Sequence, residues 1–452
     1  MKYIYIIFLP ALLLLTACSS PDDPDNLVGS GDCVSLSFNM MTAGTIKETR
    51  ADDQGHNETD SEFREFEDGI DMGDLGILIF AKIAGSTSEH KLVYKLTNLL
   101  ASDDAHINVV GSGGNYLVNL MILKDDLKEV LGGYEITPEG TSLISFRMLI
   151  LANCAPAGTN ATAMWDAVNG QDFPTVISQL SQWNFSMSDI YNADGGPEVK
   201  TLYSNHENNK VNHCPMFGTK LSTTTEQALY YSRPENRVYL GEVNLLRSLA
   251  KVRVVDNIQN KDDQGYPRVE AVEFLSSQSQ ARQLPFGALD YQDGQQVHTP
   301  NIFEENSNLT LAATYKLGTI HESWSMTPDS QRTGDVFIGF VPEQRIGHPN
   351  NNADEGMPVF HITIANHKAN GYEASDDEVE MLDFYVPMTS YNGVNFNFGQ
   401  DILRNHIYTL SVNDFGAQLN MEVVVVPYRS CVLEPYFGLD RDELPGIVPP
   451  QD

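Results

Sequence analysis

The stretch VSLSFNM, at residues 34–40, alternates apolar and polar side chains without interruption. Because successive side chains of a β-strand point to opposite faces, this period of two predicts a strand with one buried face. Val34, Leu36, Phe38 and Met40 would lie on that face. The pattern ends at the turn-forming residues TAG, 42–44.

The segment that precedes this strand has the layout of an exported lipoprotein. Lys2 supplies a positive start, residues 4–15 are apolar, and Leu15-Thr16-Ala17 leads to Cys18. This order is typical of a secretory signal peptide, and the apolar run is shorter than the roughly 20 residues of a membrane-spanning helix. The cysteine at the expected cleavage point resembles the bacterial lipoprotein box. That resemblance implies a signal peptide over 1–17 and a lipid anchor on Cys18.

Between the anchor and the strand, residues 19–26 carry three aspartates and two prolines. Such a segment cannot build a core and is expected to act as a tether. It also resembles the acidic export signal of surface lipoproteins of Bacteroidetes, which implies the outer face of the outer membrane. An ordinary solvated linker is the alternative.

On the other side of the strand, residues 45–74 are polar and acidic, with few apolar side chains. An exposed loop of this kind is open to proteolysis. Arg50-Ala51 is the predicted cut, and Arg64 is a competing position. The carboxylates of this stretch are expected to be solvated. Cutting after Arg50 would separate residues 18–50, the tether with its removable first strand, from the body.

The composition limits the classes of partner. The 452-residue chain has 28 basic and 61 acidic residues, a net charge of −33, which repels nucleic acid and anionic lipid. Many short strands and few helices indicate an all-β fold with minor α content, arranged as β-sandwiches. Helical turns are predicted only at 125–131 and 173–182. We place an N-terminal sandwich at 51–230 and a C-terminal sandwich with a donor-strand tail at 231–452.

Patterns for chemistry are weak. The histidines follow no HExxH or Cys/His spacing, which leaves neither a metal nor a cofactor to predict. Acidic residues are numerous but scattered, so no catalytic pair stands out and no enzymatic activity is expected. Arg247 and Lys251 could be mistaken for an anion site, but we expect them to share a strand face and pair with acidic surface groups. Apart from Cys18, the cysteines are expected to be buried or incidental thiols, with two disulfides as the alternative.

Several segments, taken in order, resemble the FimA-type fimbrillin family of Bacteroidetes, whose members build type V pili. They are the leader, the early strand followed by an arginine, residues 75–80, 149–153 and 215–216, LRSLAKV at 246–252, and RNHIY at 404–408. The resemblance implies two tandem transthyretin-like β-sandwich domains and no enzymatic activity. It also implies that an arginine-specific outer-membrane protease removes the first strand, and that a strand from a neighbouring fimbrial subunit replaces it.

On this mapping the apolar residues of the first strand are the removable plug, and Met421, Val423 and Val425 belong to the candidate donor strand. An ordinary core strand is an equal alternative for residues 419–426. The expected role is a stalk or tip subunit of a cell-surface fimbria, with adhesion to a host or bacterial surface ligand. Two alternatives stay open: a fimbrial anchor that keeps its lipid, and a surface glycan-binding lipoprotein that presents exposed aromatic side chains.

Overall fold

A computed structural model describes residues 33–42, 67, 69–96, 106–112, 114–153, 170–181, 184–187, 213–258, 266–276, 279–284, 313–320, 336–345, 358–370, 373–387, 401–402, 404–415 and 419–427. Within them the strands, in chain order, are β1 Cys33–Met41, β2 Leu75–Ile83, β3 Lys91–Leu96, β4 Ile107–Ser112, β5 Asn115–Leu123, β6 Leu143–Ala152, β7 Asn184–Ser186, β8 Met216–Thr225, β9 Val238–Asn244, β10 Leu246–Arg247, β11 Leu249–Asp256, β12 Tyr266–Ser276, β13 Gln280–Arg282, β14 Ala313–Lys316, β15 Gly318–Ile320, β16 Val336–Pro342, β17 Gln344–Arg345, β18 Pro358–Asn370, β19 Glu373–Pro387, β20 Asp401–Ile402, β21 His406–Phe415 and β22 Leu419–Pro427. The helices are α1 Lys124–Val130, α2 Phe173–Leu180 and α3 Glu226–Tyr230, with a 3-10 turn at Met72–Asp74.

The strands form two successive pairs of sheets, which confirms the all-β prediction. The first pair consists of β4-β5-β1-β9 and β10-β8-β6-β2-β3, and the second pair consists of β15-β16-β11-β21-β22 and β14-β12-β18-β19. Two short ribbons, β13-β7 and β17-β20, complete the described sheets. In each pair, alternate side chains of both sheets contribute to the apolar core, as in a β-sandwich.

β2 and β6 are apolar on both faces, and the fold explains why. One face of β2, with Ile77 and Ile79, belongs to the core shared with β1. The other face, with Leu78 and Phe80, is covered by α2. A strand buried on both sides reads as a continuous apolar run, which is the pattern of LGILIF at 75–80.

The helix α2 begins as its sequence predicts. The Asp172 side chain accepts a hydrogen bond from the Thr175 backbone N–H at 2.8 Å, and a proline lies in the first turn. Both features stabilise a helix start. The Phe173 ring then packs edge-on against the Phe80 ring, with 5.2 Å between centroids, and so fixes the helix on the sheet.

The change from the first pair of sheets to the second falls after β10. β9 pairs in parallel with β1, and β10 pairs with β8, so both belong to the first pair. β11 is the first strand to join the second pair, which places the change between Arg247 and Leu249. The sequence pattern identified β9 as a strand. It could not identify the sheet, because the partner lies about 200 residues earlier in the chain.

Candidate functional site

The predicted removable strand, β1, is an interior strand of its sheet. It runs antiparallel to β5 over its whole length and parallel to β9 from Leu36 onward. The side chains of Val34, Leu36, Phe38 and Met40 are 0% exposed. The prediction of an apolar face on this strand is therefore confirmed, and the strand is embedded more deeply than a half-buried pattern requires.

The pairing of β1 with β9 starts at Leu36, and at Ser35 a serine side chain takes the place of a strand partner. Ser232 Oγ donates to the Ser35 carbonyl at 2.6 Å and accepts from the Ser35 N–H, at 3.2 Å between the nitrogen and the oxygen. One hydroxyl therefore replaces the missing ladder partner for both backbone groups. Because Ser35 is 1% exposed, leaving these groups without a partner would be costly.

The end of β1 is held by three backbone and side-chain contacts. The Thr42 N–H donates to the Gly114 carbonyl at 2.8 Å, and the Leu245 N–H donates to the Met41 carbonyl at 2.8 Å. The Arg247 guanidinium donates from Nη2 to the Thr42 carbonyl at 3.1 Å. This last contact joins the end of the strand to a charged side chain that is itself only 1% exposed.

Arg247 connects the chain on both sides of residues 43–66. Its Nε donates to the Glu67 carbonyl at 2.8 Å, while Nη1 lies 3.4 Å from Asn405 Oδ1. The Asn405 side chain also accepts from the Arg247 N–H at 3.3 Å. The same guanidinium therefore contacts Thr42, which follows β1, as well as Glu67 and Asn405, the last of which lies in the turn that precedes β21.

The Glu67 carboxylate pairs with Lys251 at 2.8 Å between Oε1 and Nζ, and both side chains are buried. Two predictions are corrected here. Glu67 was expected to be solvated with its acidic neighbours, and Arg247 and Lys251 were expected to pair on the surface from one strand. Arg247 lies in β10 and Lys251 in β11; the carboxylate that pairs with Lys251 is buried, and Arg247 donates to the backbone carbonyl of the same glutamate.

A neighbouring thiol remains uncharged. Burial raises the pKa of Cys214 to about 12, even though Arg247 favours the thiolate. Its carbonyl accepts a hydrogen bond from Asn153 Nδ2 at 2.8 Å. Cys214 is therefore an inert part of the core, as expected of a buried thiol.

The candidate donor residues lie in β22, the edge strand of its sheet. Met421, Val423 and Val425 are in register with Val412, Leu410 and Tyr408 of β21, respectively. Among the described strands β22 therefore pairs with β21 alone, and it lies in a different sheet from β1. Cys18, Arg50, Ala51 and Arg64 lie outside the described residues, as do the three tryptophans.

Exposed aromatic side chains bear on the glycan-binding alternative. Tyr385 is 62% exposed and stacks on the His361 ring, with 4.6 Å between centroids. His361 also contacts the carboxylates of Glu273 and Asp383 at 2.8 and 3.1 Å.

Across the described part of the chain, no group of three or more histidine, cysteine or carboxylate side chains is arranged to hold a metal ion. Nor is any described helix both long and apolar enough to cross a membrane.

No protein-family model matches the chain, and no curated protein matches it. Solved structures give distant similarities. The tip fimbrial protein Mfa3 from Porphyromonas gingivalis is 13% identical, covering 87% of this chain and 99% of that one, with a TM-score of 0.39. A fimbrial assembly protein from Parabacteroides distasonis ATCC 8503 is 11% identical, covering 87% of this chain and 99% of that one, with a TM-score of 0.34.

Proposed function

We propose that this chain is a structural subunit, stalk or tip, of a cell-surface fimbria. It would be exported as a lipoprotein anchored through Cys18, cut after Arg50 by an arginine-specific protease, and assembled when a neighbouring subunit supplies a strand in place of β1. The observation that carries the proposal is the position of β1. An interior strand, fully buried on its apolar face, lies at the start of the body, with the predicted cut just beyond it.

Removing β1 would leave the first pair of sheets incomplete. Burying an aliphatic or aromatic side chain contributes about 1.5–3 kcal/mol, so the four apolar residues of β1 contribute about 6–12 kcal/mol. Whole domains are stable by only about 5–15 kcal/mol. The loss would also expose the facing edges of β5 and β9, and open edges recruit other strands. A replacement strand is therefore energetically favoured.

β22 has the features of a strand that can be donated. It is an edge strand, so its departure breaks one ladder rather than two. Leu419, Met421, Val423 and Val425 repeat the two-residue spacing of the apolar positions in β1. An extended segment with that spacing can direct four apolar side chains into one groove.

The test is the amino terminus of the protein in intact cells. Protein sheared from washed cells is compared with the membrane fraction by intact mass and terminal sequencing, for the unchanged chain and for Arg50→Ala. Arg233→Ala, at an exposed arginine 183 residues after the cut in the chain, is the matched control. We expect sheared polymer that starts at Ala51, lost in Arg50→Ala and kept in Arg233→Ala.

Two other outcomes would each revise the proposal. A sheared form that starts at residue 65 would move the cut to Arg64. If every molecule starts at an acylated Cys18, the polymerising role is overturned, and a lipid-retaining anchor or a glycan-binding lipoprotein takes its place. A glycan-binding screen with Tyr385→Ala separates those two.

A further inference from the structure

The groove occupied by β1 has a charged group at one end, and this group defines what can replace the strand. Arg247 donates to the Thr42 carbonyl, two residues beyond Met40, the last side chain of β1 that belongs to the apolar core. The partners of Arg247 divide into two sets. The Glu67 carbonyl and Asn405 Oδ1 belong to the body and would stay after a cut at Arg50, whereas the Thr42 carbonyl would leave with β1.

We propose that Arg247 is a specificity-determining residue that sets how far the replacing strand must extend, an inference that rests on the proposed function. The partner is an extended segment of a neighbouring subunit that runs parallel to β9. It carries apolar side chains at four alternate positions and a main-chain carbonyl two residues after the fourth. That carbonyl takes the place of the Thr42 carbonyl on a guanidinium that Glu67 and Asn405 already hold in position.

The apolar groove cannot set this length by itself. A segment that ends at the position of Met41 already places all four apolar side chains on the buried face. Because every residue carries a main-chain carbonyl, the requirement is only that the segment continue to the position of Thr42, where its carbonyl comes within hydrogen-bond distance of Arg247. A buried guanidinium that loses an acceptor is penalised, so the polar end favours segments that extend two residues beyond the fourth apolar position.

The start of the groove supplies a matched control. Ser232 bonds to the backbone of Ser35 at the opposite end of β1 and has no contact with Thr42 among the hydrogen bonds described for it. Its loss should weaken every segment that reaches Ser35 by the same factor. Loss of Arg247 should weaken only segments that reach the position of Thr42.

The experiment measures exchange of synthetic strands into the full chain, in which a site-specific protease sequence inserted at Arg50-Ala51 has been cut and β1 is still bound. The probes are two fluorescent peptide amides, residues 33–41 and residues 33–42. The shorter peptide keeps the terminal N–H that can donate to Gly114 and lacks the Thr42 carbonyl. A hydrogen bond to a charged group predicts that the longer peptide binds about tenfold more tightly, or more.

In Arg247→Met that preference should fall to about twofold or less, whereas Ser232→Ala should keep it while weakening both peptides. If Arg247→Met does not fold, Arg247→Lys, which retains the charge, replaces it as the test variant. Equal affinity of the two peptides for the unaltered protein overturns the inference without any variant, as does an unchanged preference in Arg247→Met. If neither peptide exchanges into the cut chain, the replaceable strand itself is refuted, and with it the proposed function.

Discussion

Replacing Phe38 by alanine should remove a large part of the free energy that β1 contributes to the first pair of sheets. Phe38 lies in the middle of the strand, opposite Val118 of β5, and its side chain is 0% exposed. A phenylalanine buries about 150–250 Å². At about 25 cal/mol per Å² this area corresponds to about 4–6 kcal/mol, an upper value, and measured Phe→Ala losses in cores are about 3–5 kcal/mol.

We therefore expect Phe38→Ala to lower the free energy of unfolding of the first pair of sheets by about 3–5 kcal/mol. The matched control is Asn39→Ala, a half-buried residue on the opposite face of the strand, for which a loss below about 1 kcal/mol is expected. The assay is urea denaturation followed by hydrogen-exchange mass spectrometry of β5, because protection of β5 amides reports the sheet that contains β1. A loss below about 1 kcal/mol for Phe38→Ala, or equal losses in both variants, would refute the embedded position of the strand.

Three further outcomes are expected. Burial, assisted by nearby cations, lowers the pKa of His90 from 6.5 to about 4. Between these pH values the unfolded chain binds a proton that the folded chain does not, so stability should decline as the pH falls from 6.5 towards 4. Thermal melts of His90→Gln across that range should show a smaller decline. Arg404 forms a buried bidentate pair with Glu343, so Arg404→Met should cost about 3–5 kcal/mol in urea denaturation, and adding Glu343→Met should recover part of it. Asn153 has a φ of 61° and its side chain makes three hydrogen bonds, so Asn153→Ala should destabilise more than Asn153→Gly, which relieves the backbone strain but not the lost bonds; melting temperatures should follow that order.

The local elements of the fold could be predicted because local sequence determines them. The alternation at 34–40 became β1, the apolar run at 75–80 became β2, and the capped segment at 173–182 became α2, which ends at Leu180. The apolar residues FYV at 384–386 predict a strand, but only a part of β19, which spans Glu373–Pro387. The first half of β19 is acidic, and an edge strand tolerates charged residues that hide it from an apolar pattern.

The candidate site could be predicted only in part, for a physical reason. The apolar face of β1 follows from its own sequence, but the charged group at its end does not. Arg247 lies 205 residues from Thr42 and 180 from Glu67 in the chain. Nothing near Glu67 distinguishes it from the other carboxylates of residues 62–74. Glu67 is buried against Arg247 and Lys251, which lie in the first and the second pair of sheets respectively.

The contacts of Arg247 also suggest that cutting the chain within residues 43–66 and replacing β1 are two separate steps of the proposed assembly. Residues 43–66 link Thr42 to Glu67, and both residues are bound by the same guanidinium. A cut within that segment breaks a covalent link but leaves these hydrogen bonds, the ladders to β5 and β9, and the buried apolar face in place. β1 should therefore stay bound after cutting and leave only when a competing strand takes over its contacts one after another. On the proposed function, proteolysis would make the chain competent for assembly, and binding of the next subunit would determine when β1 is released.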